Sequence, residues 1–282
     1  MTSRPRITVI TVVRNAVTML QRTVDSVLGQ DYPDLEFIVV DGGSTDGTAE
    51  IVKAHADRLH WWVSEPDRGI YDAMNKGLKH ATGEWVSFMN AGDLFASPTV
   101  LTDIFSGDTS EAAVIYGDSY AGYAHGKVFR PAAAPEHMVK GMAFCHQAGF
   151  VRRNLIAAEG FDLSYPIGAD FHELYRLYAA GHTFHKVDIP VAVFDASGVS
   201  NMNMLQSARE HFRTVRQYHR LTPCERFYHY RFICWVALVS TGYRILPEGL
   251  VRGLRAWRWN AAEPGTAEGE GLPVEQVRSE AS

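Results

Sequence analysis

Residues 7–48 read ITVITVVRNAVTMLQRTVDSVLGQDYPDLEFIVVDGGSTDGT, and their patterning decides the fold class. Residues 7–13 are a compact apolar run rich in β-branched side chains, as in a buried strand. Leu20, Val24, Val27 and Leu28 then recur at i, i+4, i+7 and i+8, one face of an amphipathic helix. Residues 35–40 (LEFIVV) return to strand and run into Asp41-Gly42-Gly43-Ser44. A helix over 49–54 follows, with Asp46 or Ser44 as its cap.

The same alternation continues outward. A short strand is predicted at 60–64, a helix at 70–80 broken by Gly83, and a strand at 84–89 (EWVSFM). Ser97-Pro98 has the cap-then-proline order that opens a helix. Strands and helices at this spacing mean βαβ units, hence an α/β protein with a mostly parallel sheet covered by helices on both faces. From 113–117 the pattern becomes mixed, with several short strands to about Phe129 and a Pro/Ala-rich bend at 131–135. A helix over 169–180 ended by Gly181, a strand over 183–187 and helices over 204–220 and 225–241 complete the regular part. From Ala261 the chain is rich in Gly, Glu, Pro and Ala and is read as disordered. There is no internal repeat.

The 282 residues, 46% hydrophobic and 21% charged, suit one large domain or a domain with an appendage. Cys145, Cys224 and Cys234 stand singly, which argues against a disulfide framework or a structural zinc site and fits a reducing, cytoplasmic setting. The opening MTSRPRITVITVV has no long apolar region or small-residue cleavage site, so no signal peptide is predicted. A net charge of −5 gives no general attraction to nucleic acid. Charge is uneven, however. Residues 213–258 hold nine arginines against Glu225 and Glu248, a local +7, whereas 261–282 hold five glutamates against Arg278, a local −4.

Ligands of such sheets bind at the carboxyl ends of the strands. The residues there are Arg14-Asn15, Asp41-Gly42-Gly43-Ser44, Glu65-Pro66-Asp67-Arg68 and Asn90-Ala91-Gly92-Asp93. A Rossmann G-x-G-x-x-G is absent, so a dehydrogenase is disfavoured. The segments ITVITVVRNA, FIVVDGGSTDGT, SEPDRGIYDAMNKGLKHATGEWVSFMNAGDLF and YPIGADFHELYRLYAAG, in this order, resemble family 2 glycosyltransferases of the GT-A fold over about residues 7–200. The resemblance implies a nucleoside-diphosphate-sugar donor (uridine diphosphate by the family's habit), Mg²⁺ or Mn²⁺, inversion at the anomeric carbon, and a saccharide or lipid-linked saccharide acceptor. It also points to bacterial exopolysaccharide, capsule or lipopolysaccharide synthesis. On this basis residues 1–202 form the catalytic domain, with the donor half at about 1–95 and the acceptor half at about 96–202. Residues 203–260 form a helical, basic and aromatic extension, and 261–282 a tail.

The resemblance assigns Thr11, Val13, Arg14, Asp41, Asp67, Arg68 and Asn90 to nucleotide-sugar binding. Asp41 would accept from the base imide N–H, with Gly42-Gly43 admitting a flat ring; a turn or capping role is the alternative. Asp67 and Arg68 could touch ribose and diphosphate or simply pair with each other. In Asn90-Ala91-Gly92-Asp93 two of the family's usual acids are Asn and Gly. Asp93 is thus the remaining metal ligand, donor phosphates supplying the rest, unless it caps a following helix. Asp170 matches the catalytic base that takes the acceptor's proton, although it could cap its helix; Glu173 is the reserve for the base. His146 and Gln147 are candidates on the acceptor or phosphate side, His146 having a structural alternative. Ser197-Gly198-Val199-Ser200 is expected to form a loop closing over the donor.

Residues 232–242 (FICWVALVSTG) are too short to span a bilayer. Flanked by arginines and followed by Trp257-Arg258-Trp259, they suit either an interfacial helix in peripheral membrane association or a core helix. A non-catalytic nucleotide-sugar binder is the main functional alternative, which would have no use for Asp170. A nucleotidyltransferase would call for a glycine-rich basic loop after the first strand, and Val13-Arg14-Asn15-Ala16 is not one. Oligomeric state is not legible.

Overall fold

The structure, a computed structural model, describes residues 4–123, 126–196 and 203–245, the side chains of 240–245 excepted. The expected loop at 197–200, the Trp257–Trp259 cluster and the acidic tail lie outside the described residues. The first compact unit ends at Val236 and a second begins at Ala237.

The N-terminal alternation folds as β1 (Ile7–Val13), α1 (Val17–Leu28), β2 (Leu35–Asp41), α2 (Thr48–Ala54), β3 (Trp61–Ser64), α3 (Ile70–Leu78) and β4 (Trp85–Phe88). These four strands lie side by side in the order β3-β2-β1-β4, all parallel. Alternate side chains therefore face opposite layers. Ile10, Val12, Ile38 and Val40 pack under α3 with Met74 and Leu78. Ile7, Val9, Val13, Phe37 and Val39 pack under α1 with Leu20, Val24 and Val27. Burial on both faces explains why these strands read as continuous apolar runs.

The remaining elements are β5 (Leu94–Phe95), α4 (Val100–Phe105), β6 (Val114–Tyr123), β7 (Gly126–Arg130), β8 (Gly149–Arg152), α5 (Arg153–Ile156), α6 (Ala169–Ala179), β9 (Phe184–Asp195), α7 (Met204–Tyr218) and α8 (Pro223–Ile245). The described sheet runs on as β8-β6-β9-β5, with β7 beside β6. β6 and β9 are parallel; β8, β7 and β5 join antiparallel. Most paired residues are in parallel ladders, and the α/β class with a mostly parallel sheet stands.

Several local expectations change. The short strands after residue 113 are one ten-residue strand and its hairpin partner, and the strand at 183–187 extends to Asp195. α4 starts at Val100 behind Thr99, so Pro98 is not its first residue. Gly47, not Asp46 or Ser44, holds the cap position of α2; Asp46 accepts from the Thr48 N–H at 3.1 Å from one residue further out, while Ser44 turns to Asp41. Among the described residues no helix is long and apolar enough to cross a membrane. Up to Val236, where the first unit ends, α8 docks through its inner face: His229 Nε2 lies 2.8 Å from the Val139 carbonyl oxygen, and Ile233 packs on the core.

Candidate active site

Because β1 to β4 are parallel, their carboxyl ends open on one edge, and the four loops identified above meet there. The β1 and β2 loops are pinned together. The Asn15 N–H donates to Ser44 Oγ at 2.7 Å, and Asn15 Oδ1 accepts from the Thr45 N–H at 2.9 Å, which holds Asn15 at φ +50°. Arg14 is exposed beside this junction and has no ion-pair partner among the described residues. Asp67 lies against the β2 loop, where a Cβ on Gly42 would sit 2.1 Å from its Oδ2. A Cβ at position 42 would push the Asp67 carboxylate aside, so glycine there leaves room for Asp67 and the Arg14 side chain on the same side of the β2 loop.

Other donor-side assignments receive framework roles. Thr11 is buried and its hydroxyl donates to the Met89 carbonyl at 2.6 Å, tying β1 to the exit of β4; Val13 is core. Asp41 is fully buried. It accepts from the Ser44 N–H at 3.1 Å, from the Ser44 hydroxyl and from the Ser64 hydroxyl at 2.5 Å. These are the contacts of the turn role weighed above. Asp67 and Arg68 do not pair. Asp67 accepts from the Gly69 N–H at 2.9 Å, and Arg68 reaches Asp72 at 2.9 Å. Lys76 braces the β3 loop through the Pro66 carbonyl and Glu65, both at 2.8 Å.

Two buried carboxylates face this edge from the β4 exit and from α6. Asp93 precedes a strand, not a helix, so it is no helix cap. Its Oδ1 accepts from the Asp195 N–H and its Oδ2 from the Gln147 side-chain amide, each at 2.8 Å. Burial outweighs these bonds and pushes its carboxyl up to about 6. Asp170 sits in the first turn of α6, where Gly168 holds the cap position. Its Oδ2 is 2.9 Å from His146 Nδ1. Its Oδ1 accepts from the Phe171 N–H at 2.8 Å and lies 2.8 Å from the Tyr71 hydroxyl. Burial works against the Asp170 charge, but the facing His146 and these hydrogen bonds prevail and hold the carboxyl well below its ordinary range. Burial likewise opposes charge on His146, and Asp170 overcomes it, so the imidazole is raised.

Neighbouring residues of one 3₁₀ turn, His146–Ala148, therefore hold the two acids, His146 on Asp170 and Gln147 on Asp93. The turn reaches this edge because β8, which follows it, runs antiparallel beside β4. Glu173, the reserve for the base, is buried in an ion pair with Arg176 at 2.6 Å. Pattern reading missed Tyr71, Asp195 and Glu210. Tyr71 looks like any core aromatic on α3. Glu210, in α7, accepts from the Gly168 and Ile167 N–H groups at 2.7 and 3.0 Å and so fixes the turn before Asp170.

Among the described residues no three His, Cys, Asp or Glu side chains converge as a metal cage. The β4 exit nevertheless suits a divalent cation shared with a ligand. Asp93 keeps a free lone pair on each oxygen, and the buried Asn90 Oδ1 of the same turn has no hydrogen-bond partner. Oxygen donors of this kind suit Mg²⁺ or Mn²⁺, which use few carboxylates and complete their shell from phosphates.

A sequence model described as "Glycosyl transferase family 2" matches residues 8–157. The chain is 32% identical over 232 residues to "Uncharacterized glycosyltransferase Rv1514c" of Mycobacterium tuberculosis, covering 79% of this chain and 87% of that protein. It is 33% identical over 183 residues to "PGL/p-HBAD biosynthesis glycosyltransferase" of Mycobacterium bovis, covering 62% and 70%. Among solved structures it resembles the mannosyltransferase PcManGT of Pyrobaculum calidifontis, in complex with GDP-Man and Mn²⁺ (TM-score 0.63, 22% identity, 93% and 82% of the two chains). It also resembles Staphylococcus aureus TarS 1-349 in complex with UDP (TM-score 0.59, 18% identity, 81% and 70%). At these identities the structural likeness speaks to the fold.

Proposed function

The chain belongs to glycosyl transferase family 2, and on that premise we propose that it moves one sugar, with inversion, from a nucleoside-diphosphate donor to an acceptor hydroxyl in polysaccharide or glycolipid assembly. Our reading of the donor is a uridine diphosphate sugar; TarS binds UDP and PcManGT binds GDP-Man, so the base is the finer part of the proposal. The observation that carries the reading is the single turn holding both acids, Asp170 through His146 and Asp93 through Gln147.

Asp170 serves as the base. As the acceptor oxygen bonds to the anomeric carbon and the carbon–phosphate oxygen bond breaks, the proton passes to its carboxylate and the electron pair leaves with the diphosphate. His146 and the Tyr71 hydroxyl keep that carboxylate ionised and aimed. Arg14 is the cation available to the diphosphate. Asp93 and the Asn90 amide oxygen would hold Mg²⁺ or Mn²⁺, which as a Lewis acid stabilises the departing diphosphate. Asp41 at the end of β2 and Asp67 beside Gly42 would accept from the base and the ribose.

The test is a donor-hydrolysis and transfer assay over several nucleotide sugars, with and without Mn²⁺. Asp170→Asn is expected to lower kcat by ~10²–10⁴-fold, with donor affinity by thermal shift retained. Full rate in that variant removes Asp170 as the base. Donor binding without turnover in the parent chain would favour a non-catalytic binder.

A further inference from the structure

Residues 223–236 of α8 carry apolar side chains all round, and the domain covers the inner face. The inner face carries His229, Val236 and Ile233, with the His229 ring stacked on Phe212 at 5.0 Å. The helix start is fixed by a reciprocal capping box: the Thr222 N–H donates to Glu225 Oε2 at 2.8 Å and the Glu225 N–H to Thr222 Oγ1 at 3.3 Å. The outer surface nonetheless exposes Phe227 at 68%, Trp235 at 42% and Phe232 at 38%, and at its flank Tyr230, edge-on to Phe212 at 5.2 Å, is 52% exposed. A helix apolar on both faces is ordinarily buried on both, and clustered exposed aromatics mark a surface meant for something else.

The charges around them say what. Arg226 and Arg231 are exposed among these aromatics and have no ion-pair partner among the described residues. The only acid of the helix, Glu225, is engaged by Thr222 and His219 at its start. The sequence beyond repeats the chemistry with Arg244, Arg252, Arg255, Trp257, Arg258 and Trp259. Two copies meeting through this face would oppose its arginines to one another. An anionic surface would not, and aromatic side chains mixed with arginine suit the headgroup region, where rings sit at the interface and guanidinium groups reach the phosphates.

We propose that the outer face of α8, through Phe227, Tyr230, Arg226 and Arg231, seats the protein in the plane of an anionic lipid bilayer. This stands apart from the donor site and does not depend on it. The test is flotation of the full chain with mixed phosphatidylglycerol–phosphatidylcholine vesicles against pure phosphatidylcholine vesicles, at ~0.05 M and ~0.5 M salt. The parent is expected to float with the anionic vesicles at low salt and to be released at high salt. Arg226→Glu with Arg231→Glu, and separately Phe227→Ser with Tyr230→Ser, should each lower the bound fraction about tenfold or more, with donor hydrolysis unchanged and the arginine pair also leaving the melting temperature unchanged, whereas Tyr230→Ser gives up its ring contact with Phe212. No flotation of the parent at low salt overturns the proposal, as does equal flotation of parent and both variants. A solution dimer that the Phe227→Ser, Tyr230→Ser variant dissociates, with no vesicle binding, also overturns it and assigns the face to self-association.

Discussion

Asp93 is a carboxylate folded into a place where water cannot solvate it, and that has a measurable sign. Its carboxyl rises from 3.8 to about 6, burial being the largest cause. A raised value means the native state binds the proton more tightly than the unfolded chain. The group's contribution is therefore most favourable below about pH 4 and is lost as pH rises through about 6. The difference of about 2 units, at 1.36 kcal/mol each, makes the ionised form cost about 3 kcal/mol above pH 7 in the absence of a cation. Asp93→Asn is thus expected to melt higher than the parent at pH 7–8 without metal, the gain shrinking toward pH 4, while turnover loses its response to Mn²⁺. Thermal melts across pH check the first half, and a uniformly lower melting temperature in the variant would refute it. Asp170 has the opposite sign. Its depressed value contributes stability above the ordinary carboxylate range, lost as pH falls toward about 2, and the raised His146 contributes below about pH 6.5, lost as pH climbs through its folded value. The pair is strongest between those limits. Both acids were legible in the sequence because each lies at an element boundary. Tyr71 was not, since its partner Asp170 is 99 residues away.

Elements, more than single residues, decide how precisely Asp170 is presented. α7 packs on α6 through Phe212 and Val215 and holds the preceding turn with Glu210. Glu210→Ala would leave the Ile167 and Gly168 N–H groups without their acceptor in a largely buried setting. The expected cost is about 2 kcal/mol, read from the denaturant midpoint, together with a fall in kcat larger than any change in donor KM. Loss of stability with kcat untouched would limit Glu210 to a structural role. What could be read in advance at this scale follows from how each strand pairs. β1 to β4 alternate regularly with helices and are buried on both faces, so local periodicity carries the message even though β1 pairs with the distant β4. β6, β8 and β9 mix parallel and antiparallel pairing, and β5 has two residues. Their boundaries are set by tertiary hydrogen bonds that no local pattern encodes. The same holds for Asp41, whose place at a strand end was plain but whose satisfaction by Ser44 and Ser64 depends on β3 lying alongside.

At the scale of the first compact unit, two apolar layers share one sheet, and the candidate site lies on the edge where its parallel strands end. Loops from β1, β2, β3 and β4 meet there with the turn before β8, so a ligand touching several of them ties both layers together. Occupation of the site should therefore stabilise the whole compact unit and not only its loops. A ligand that binds the native state alone adds about 2.7 kcal/mol at a hundredfold excess over its Kd. For a unit of this size that is about 5–10 °C in Tm. The shift should require both components, because a diphosphate entering without a cation would bring its charge against an Asp93 that already resists ionisation. With a cation present, that same carboxylate would serve as a ligand, and its cost would be offset by the coordination. Uridine diphosphate with Mn²⁺ is expected to raise Tm by this amount, either component alone by a small fraction of it, and guanosine diphosphate with Mn²⁺ by less. Melting scans of the full chain over these combinations measure it. A full shift from the nucleotide alone would remove the cation from the donor site, and a larger shift with guanosine diphosphate would reassign the base.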